Sequence, residues 1–290
     1  MANIDTNVVA DFGDEWARFD QEGVALEELQ RIFGDYFSVF PWEKLKRDAV
    51  GFDLGCGSGR WACFVAPRVG KLHCVDPSAA ALTVAKRNLR SFDNCEFHQA
   101  AVDQLPFDDS SMDFGYSLGV LHHVPDTASG IADCVRKLRP GAPMLLYLYY
   151  AFDNRPMWFK VLWRVSDFMR RGLSKLPPGP KIATTNAIAY LVYWPLSRAS
   201  RILERMGVDV SAFPLSAYRD KSMYTLRTDA RDRFGTRLEQ RFTKAEIEHM
   251  LSAAGLEQIS FRQGAPHWCA VGIRAWGRSA PMRDPEVQPN

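Results

Sequence analysis

The sequence is poor in several features that would assign it to a distinctive class of protein. Its 290 residues contain 6 cysteines, none in a CxxC pair and none grouped with histidine at the spacing of a zinc site. Lys and Arg total 36 against 34 acidic residues, so the net charge of +2 does not favour nucleic acid as a partner. The sequence also contains no internal repeat. These absences predict a globular protein without a metal site or a nucleic-acid partner.

Long apolar segments are absent as well. The longest apolar run, residues 187–196, contains Tyr190, Tyr193 and Trp194. It is about half of the roughly 20 residues that a transmembrane helix needs. Residues 1–20 are polar and acidic, without the apolar centre of a secretory signal. The expectation is a soluble, cytoplasmic protein whose scattered cysteines are reduced thiols, mostly in the core.

A regular alternation of short apolar strands and helical segments occupies the middle of the chain. Five strands are predicted there, at residues 49–54, 71–75, 95–100, 112–118 and 144–150. Two more, at 256–262 and 267–273, follow a helix that begins with the capping-box sequence Thr243-Lys244-Ala245-Glu246. The order predicts an α/β, Rossmann-like, seven-stranded and mostly parallel sheet covered by helices on both faces.

The segments outside this alternation complete the predicted organisation. The chain divides into an N-terminal helical cap (1–48), a Rossmann-like core (49–153), a helical insertion after strand five (154–226), the C-terminal part of the core (227–276) and a disordered tail (277–290). In this type of fold, ligands bind at the carboxyl ends of the parallel strands.

A glycine-rich loop follows the first strand at that edge. Gly55, Gly57 and Gly59 allow the backbone to turn sharply and to approach a ligand closely. Asp53 precedes the loop, and Asp76 ends the next strand, where a carboxylate can accept hydrogen bonds from both hydroxyls of a ribose. Together these residues predict a site for a nucleoside cofactor.

The motifs in this region resemble those of class I methyltransferases, in particular the small-molecule group with the quinone and sterol methyltransferases. Five segments carry the resemblance, in the order found in the family: Asp53-Leu54-Gly55-Cys56-Gly57-Ser58-Gly59, Asp76-Pro77-Ser78, Leu105-Pro106-Phe107, Leu121-His122-His123-Val124-Pro125-Asp126 and Arg139-Pro140-Gly141. The resemblance covers about residues 49–150. It implies an enzyme that transfers the methyl group of S-adenosylmethionine, in class EC 2.1.1.

The resemblance also implies roles for individual residues toward this cofactor. The loop, Gly55, Cys56, Gly57 and Gly59, would hold the methionine part, with Asp53 organising the loop. The remaining contacts would be Asp76 on the ribose, Pro77 on adenine, Asp103 on the adenine amine, and Leu118 and Gly119 on the methionine side. Family members often carry Asp where this chain has Ala101, so the assignment of Asp103 departs from the usual pattern.

Three other interpretations compete with this one. A dehydrogenase would carry G-x-G-x-x-G, but Arg60 and Trp61 stand where the third glycine would fall and would crowd a pyrophosphate. A chain that resembles the nucleic-acid methyltransferases would carry an Asn/Asp-Pro-Pro-Tyr/Phe signature after strand four. This sequence has no such signature there. A cofactor-binding protein without turnover stays open, because an intact loop does not demonstrate catalysis.

Methyl transfer to a hydroxyl needs alignment of the reactants and a base for the departing proton. His122 and His123 follow strand four, and Asp153 follows strand five, so these three are the candidate catalytic residues. The alternative is that both histidines hold a loop turn and that Asp153 is a solvated carboxylate. Trp16, on a helical pattern near the N-terminus, is a candidate lid over the sulfonium, with core packing as the alternative.

The insertion is the most distinctive part of the sequence. Residues 154–226 contain 12 Lys and Arg and 4 Asp and Glu, interleaved with aromatic residues. It is expected to cover the acceptor pocket, while contact with an anionic membrane and packing in a homodimer are alternatives. The predicted reaction is O-methylation of a glycosyl or other secondary metabolite. The alternative is C-methylation of an isoprenoid quinone or lipid-linked acceptor at the membrane surface.

Overall fold

The seven predicted strands form one sheet in a computed structural model that describes residues 2–21 and 23–276. The strands are β1 (Val50–Leu54), β2 (Lys71–Val75), β3 (Cys95–His98), β4 (Phe114–Leu118), β5 (Pro143–Tyr147), β6 (Leu256–Phe261) and β7 (Cys269–Arg274). Their spatial order is β3-β2-β1-β4-β5-β7-β6. All pairs among β1 to β5 are parallel, and β7 runs antiparallel to both β5 and β6. The predicted fold class is confirmed.

The helices cover both faces of the sheet and build a separate layer at its carboxyl edge. They are α1 (Thr6–Arg18), α2 (Leu26–Phe37), α3 (Ala62–Val65), α4 (Ala79–Asn88), α5 (Thr127–Lys137), α6 (Met157–Leu173), α7 (Pro178–Ile188), α8 (Trp194–Arg205), α9 (Met223–Gly235) and α10 (Lys244–Ala253). A π-helical turn, Ala189–Tyr193, joins α7 to α8. The predicted capping box at the start of α10 is present, with Thr243 and Glu246 bonded reciprocally.

Two apolar clusters lie on the two faces of the sheet. One contains Phe52 and Ile131, and the other contains Phe37, Phe114 and Tyr116. Alternate residues of a strand point to opposite faces, which explains why strands buried on both sides are apolar nearly throughout. The six cysteines are all free thiols, four of them buried. None of the described helices has the length and apolar character needed to cross a bilayer.

The helical insertion is larger than its predicted bounds. The boundary expected at residue 226 falls inside α9, which continues to Gly235 and packs against α6 and α7. A small core of its own holds these helices together, formed by Ala189, Tyr193, Leu226, Ala230 and Phe234. The predicted disordered tail, 277–290, lies outside the described residues.

Helix α1 is attached to the insertion as well as to the core. Lys181 Nζ lies 2.7 Å from Asp11 Oδ1, and Arg231 Nη2 lies 3.0 Å from Asp14 Oδ2. Both cationic side chains are almost fully buried. The N-terminal cap therefore bridges the core and the insertion across the carboxyl edge of the sheet.

Close packing at the sheet centre gives a test of the fold. A Cβ on Gly51 would lie 2.3 Å from the ring of Phe114, which is fully buried. We expect Gly51→Ala to lower the free energy of unfolding by about 1–3 kcal/mol, because an overfilled core must shift its neighbours. Urea unfolding followed by circular dichroism measures the change.

The matched control is Gly34→Ala, on an exposed helical position where an added Cβ meets nothing within 4 Å. This change should raise the free energy of unfolding by about 0.5–1 kcal/mol, since glycine is costly inside a helix. Equal effects of the two substitutions would contradict the packing described here.

Candidate active site

Two adjoining cavities lie at the carboxyl edge of the sheet. The smaller has a volume of about 110 Å³ and the larger about 480 Å³. Both are lined by Gly55 at the end of β1, by Leu118 and Gly119 at the end of β4, and by Phe12 and Trp16 of α1. The residues shared by both cavities therefore come from the two central strands below and from α1 above.

The glycine loop forms the floor between the cavities. Gly55 N and Cys56 N both donate to Val75 O, at 2.7 and 3.0 Å, which fixes the loop to the end of β2. Gly57 has φ of +53°, and a Cβ there would lie 2.8 Å from the indole ring of Trp16. Only glycine permits both this backbone conformation and this close approach. Gly57 and Gly59 shape the loop, while Gly55 and Cys56 line the larger cavity.

Asp76 joins the glycine loop to the start of α4. Its Oδ2 accepts from Gly57 N at 3.0 Å and its Oδ1 accepts from Ser78 N at 2.8 Å. Burial raises the pKa of Asp76 to about 6, although these two hydrogen bonds act in the opposite direction. Asp76 and Pro77 line the smaller cavity. Each carboxylate oxygen has a second lone pair and can accept a further hydrogen bond from a ligand hydroxyl.

Two of the carboxylates predicted to act at the cofactor site, Asp53 and Asp103, line neither cavity. Asp53 Oδ2 accepts from the hydroxyl of Tyr116 at 2.9 Å, and burial raises the pKa of Asp53 to about 8. No described loop amide donates to it, so its expected role in organising the loop does not fit this geometry. Asp103 Oδ2 accepts from Asn3 N at 2.9 Å, and its neighbours Ala101 and Val102 line the smaller cavity in its place.

Trp16, the candidate lid residue, lies beside the glycine loop. Its indole covers Gly57 and borders both cavities. The guanidinium of Arg60 lies 5.2 Å from the ring centres of both Trp16 and Trp61, a cation–π arrangement at the wall of the larger cavity. A cation beside the glycine loop can pair with an anionic group of a ligand bound there.

The two candidate histidines have different surroundings. His122 is fully buried, stacks on Tyr149 with 3.8 Å between ring centres, and lines neither cavity. Burial and the neighbouring His123 hold the pKa of His122 well below its usual value, so its ring is neutral. His123 lines the smaller cavity, and its Nδ1 lies 2.6 Å from Leu238 O. Because a carbonyl only accepts, Nδ1 donates in this contact, and the tautomer with its hydrogen on Nδ1 has a lone pair on Nε2.

An aspartate from the insertion faces this lone pair. Asp232 Oδ1 is 3.6 Å from His123 Nε2, and within the described chain neither atom has a hydrogen-bond partner. The other oxygen of Asp232 accepts from the hydroxyl of Tyr149. Asp232 also lines the larger cavity. His123 Nε2 and Asp232 Oδ1 therefore form a pair that can share one proton.

The third catalytic candidate, Asp153, is not part of this arrangement. Its side chain is exposed and lines neither cavity. Its oxygens accept from Lys244 N at 3.0 Å and from Trp268 Nε1 at 2.9 Å, so it ties the start of α10 to the end of the sheet. The prediction of a catalytic role for Asp153 does not fit, because its position after β5 faces away from the cavities.

The expectation that no metal-ligating side chains are grouped also needs a correction. His73 on β2 and Glu96 and His98 on β3 place their donor atoms within 4.8 Å of one another. Residues on neighbouring parallel strands meet in this way although they are distant in the sequence. In the structure these groups bond one another, with His73 Nδ1 2.9 Å from His98 Nε2, and Glu96 Oε1 2.7 Å from Lys71 Nζ.

Comparison with known proteins identifies the class of domain. Residues 52–146 match the family described as "Methyltransferase domain". The chain is 29% identical to the ubiquinone biosynthesis O-methyltransferase of Hahella chejuensis over 163 residues, which are 53% of this chain and 64% of that protein. It is 28% identical to the demethylmenaquinone methyltransferase of Clavibacter sepedonicus, over 48% of this chain and 54% of that one. The chain thus spans less than two thirds of either relative.

A solved structure supports the fold over nearly the whole chain. A chain of the complex between the Haloferax volcanii Trm112 methyltransferase activator and a methyltransferase superposes with a TM-score of 0.54 at 15% identity. The superposition covers 94% of this chain and 100% of that one. Residues 52–146 therefore match a methyltransferase domain, and S-adenosylmethionine is the methyl donor that this match implies.

The two cavities fit this cofactor. Asp76 can accept from the ribose hydroxyls and Pro77 borders the same cavity, while Gly55, Cys56 and Gly119 line the passage to the larger cavity. Arg60 supplies a cation for the cofactor carboxylate. Arg60, Phe12 and Asp232 were not assigned roles from the sequence, because the first lies just beyond the motif and the others reach the site from α1 and α9.

The pKa of Asp76 predicts how cofactor binding depends on pH. The raised value of about 6 means that the carboxylate takes up a proton between pH 7 and 5 and then accepts hydrogen bonds less well. We expect the affinity for S-adenosylhomocysteine to fall below pH 6, by up to about tenfold per pH unit. Calorimetric titration at a series of pH values measures it.

Asp76→Asn separates this effect from other titrations. The variant should bind about 1–3 kcal/mol more weakly at pH 7, the cost of impaired hydrogen bonds in a buried site. Its affinity should then be nearly independent of pH between 7 and 5. A pH dependence as steep in Asp76→Asn as in the wild type would show that another group controls binding.

Proposed function

We propose that this chain transfers the methyl group of S-adenosylmethionine to a hydroxyl oxygen of a small, flat and largely apolar acceptor. The observation that carries the proposal is the proton-accepting pair of Asp232 and His123 at the boundary of the two cavities. The cofactor supplies a methyl group already activated on a sulfonium. The protein has to hold the acceptor in line and remove the hydroxyl proton.

The larger cavity favours an aromatic acceptor over a sugar. Its wall is made largely of aromatic rings, among them Tyr36, Trp61, Tyr147, Tyr149 and Trp163. Such walls bind flat, apolar molecules, while a few polar groups fix the orientation. The ring of a phenol would pack against this aromatic wall, and its hydroxyl would approach Asp232 and His123.

The proton follows a short route in this proposal. The acceptor hydroxyl approaches Asp232, and its proton passes to the space between Asp232 Oδ1 and His123 Nε2. The proton is then held by both atoms, while the Tyr149 hydroxyl continues to donate to the other oxygen of Asp232. When bound, S-adenosylmethionine would supply the methyl group, which would pass from sulfur to the acceptor oxygen while the hydroxyl proton stays on the protein, so the charges would balance.

Burial keeps further negative charge out of the cavity. Glu15 lies at the cavity wall and is nearly fully buried. Desolvation, followed by the proximity of Asp232, raises the pKa of Glu15 well above its usual value, which favours the neutral form of its carboxyl group. Asp232 is thus the wall carboxylate that has His123 as a partner for a transferred proton.

Carbon methylation of a quinone-type ring is the second candidate. The relationship to a demethylmenaquinone methyltransferase favours it, and an aromatic cavity accommodates such a ring equally well. The two reactions differ in their product. Incubation with prenylated hydroxyquinols, simple phenols and glycosides should give S-adenosylhomocysteine with the first two groups. NMR then distinguishes a methoxy product from a ring methyl, and methylation of glycosides alone would overturn the proposed acceptor class.

Substitution of the proton-accepting pair tests the mechanism. We expect His123→Asn and Asp232→Asn each to lower kcat for oxygen methylation by about 10²–10³, the usual contribution of a positioned base. The KM for the acceptor should change much less. Steady-state assays at a fixed pH measure both constants.

The control for this prediction is Asp153→Asn. Asp153 also follows a sheet strand but bonds Lys244 and Trp268 away from both cavities. Its replacement should leave kcat within about twofold of the wild type. A large loss in Asp153→Asn together with full activity in Asp232→Asn would reverse the assignment.

A further inference from the structure

The exposed apolar side chains of this protein are concentrated in one region. Of the 16 large hydrophobic residues exposed in the described chain, 14 lie between Met157 and Val208, within the insertion. Scattered exposed apolar residues are ordinary, whereas a concentration of them marks an interaction surface. We therefore expect this region to bind a partner.

Helix α6 presents one complete apolar face outward. Its exposed apolar residues recur at intervals of three and four, as expected for one side of a helix. They are Met157, Trp158, Val161, Leu162, Val165, Phe168 and Met169. Phe168 is 80% exposed. The opposite face carries Asp167 and Arg170, which are buried against the rest of the protein.

A second exposed apolar segment borders the same cavity. It runs from the π-helical turn into α8 and includes Tyr190, Leu191, Val192 and Trp194, with Leu191 75% exposed. Val192 from this segment and Leu162 from α6 both line the larger cavity. We call these two segments together the apolar face. The wall of the acceptor cavity is thus continuous with it.

The charge around the apolar face indicates what kind of surface it binds. Within residues 154–226, basic residues exceed acidic ones by 12 to 4, although the whole chain is nearly neutral. Arg164, Arg171 and Lys175 are exposed on or just beyond α6 and border its apolar side. Two tryptophans and a tyrosine on the face match the residues that prefer the boundary between lipid and water. An apolar helix face with a basic border fits the surface of an anionic bilayer.

We propose that the apolar face docks on an anionic membrane surface and thereby opens the acceptor cavity toward the lipid. α6 and the 190–194 segment then lie in the headgroup region, with the basic side chains on phosphates. The part of this inference that concerns the acceptor rests on the proposed function. It implies that the acceptor is an amphiphilic molecule that resides in the membrane. Docking itself does not depend on methyl transfer.

The test is co-sedimentation of the full chain with lipid vesicles. Wild type should bind vesicles of equal parts phosphatidylcholine and phosphatidylglycerol, and bind phosphatidylcholine alone at least tenfold more weakly. Phe168→Ser with Leu191→Ser should lower the partition coefficient at least tenfold. Arg164→Gln with Lys175→Gln should lower it about fivefold per charge, and high salt should have a similar effect.

The control is Trp276→Ser. Trp276 is 75% exposed but lies beside Gly141, at the opposite edge of the sheet from the cavities. Its replacement should leave vesicle binding unchanged. Binding by Phe168→Ser/Leu191→Ser equal to that of the wild type would overturn the proposal. A second outcome would also overturn the proposal: a dimeric wild type that Phe168→Ser/Leu191→Ser converts to a monomer, with no vesicle binding by the wild type or the variant. The apolar face would then join two copies of the chain.

Calorimetry with S-adenosylhomocysteine keeps the two proposals separate. The surface variants should bind it with wild-type affinity, which also shows that they are folded. Vesicle binding without any product from the acceptor panel would refute only the proposed function. Product formation by a chain that binds no vesicles would refute only the docking.

Discussion

One buried carboxylate holds the ligand-binding edge of this protein together. Asp76 accepts a hydrogen bond from the glycine loop after β1 and another from the first residues before α4. Buried amides without acceptors would cost free energy, so this single side chain stabilises both loops. The position of Gly57, and with it the approach of Trp16, depends on the same carboxylate. The floor of the cofactor site is therefore fixed before any ligand binds.

The parts of the site that sequence reasoning could predict are local. The glycine loop, Asp76 and Pro77 each lie at the junction of a strand and a helix, and the apolar pattern places those junctions at one edge of the sheet. The same pattern predicted all seven strands, although the observed strand ends differ from the predicted ones by a few residues. Local order in sequence was sufficient here because parallel strands bring their carboxyl ends together.

The parts that could not be predicted depend on contacts between distant segments. Asp232 on α9 lies opposite His123, in the turn after β4, and the sequence near either residue gives no sign of this contact. His122 and His123 are adjacent in sequence, yet one stacks inside the core and the other faces a cavity. Asp53 and Asp153 were assigned from their positions beside strands. In the structure, Asp53 accepts a hydrogen bond from Tyr116 and Asp153 accepts one from Trp268, so both side chains stabilise the fold.

The ion pairs between α1 and the insertion have a kinetic consequence. Asp11 and Asp14 on the helix above the cofactor bond Lys181 and Arg231, whose side chains are buried among the helices that cover the acceptor cavity. Lifting α1 to release spent cofactor would strand those two cations unless the insertion moved as well. In the proposed reaction, release of the two products would therefore require one common opening of the molecule.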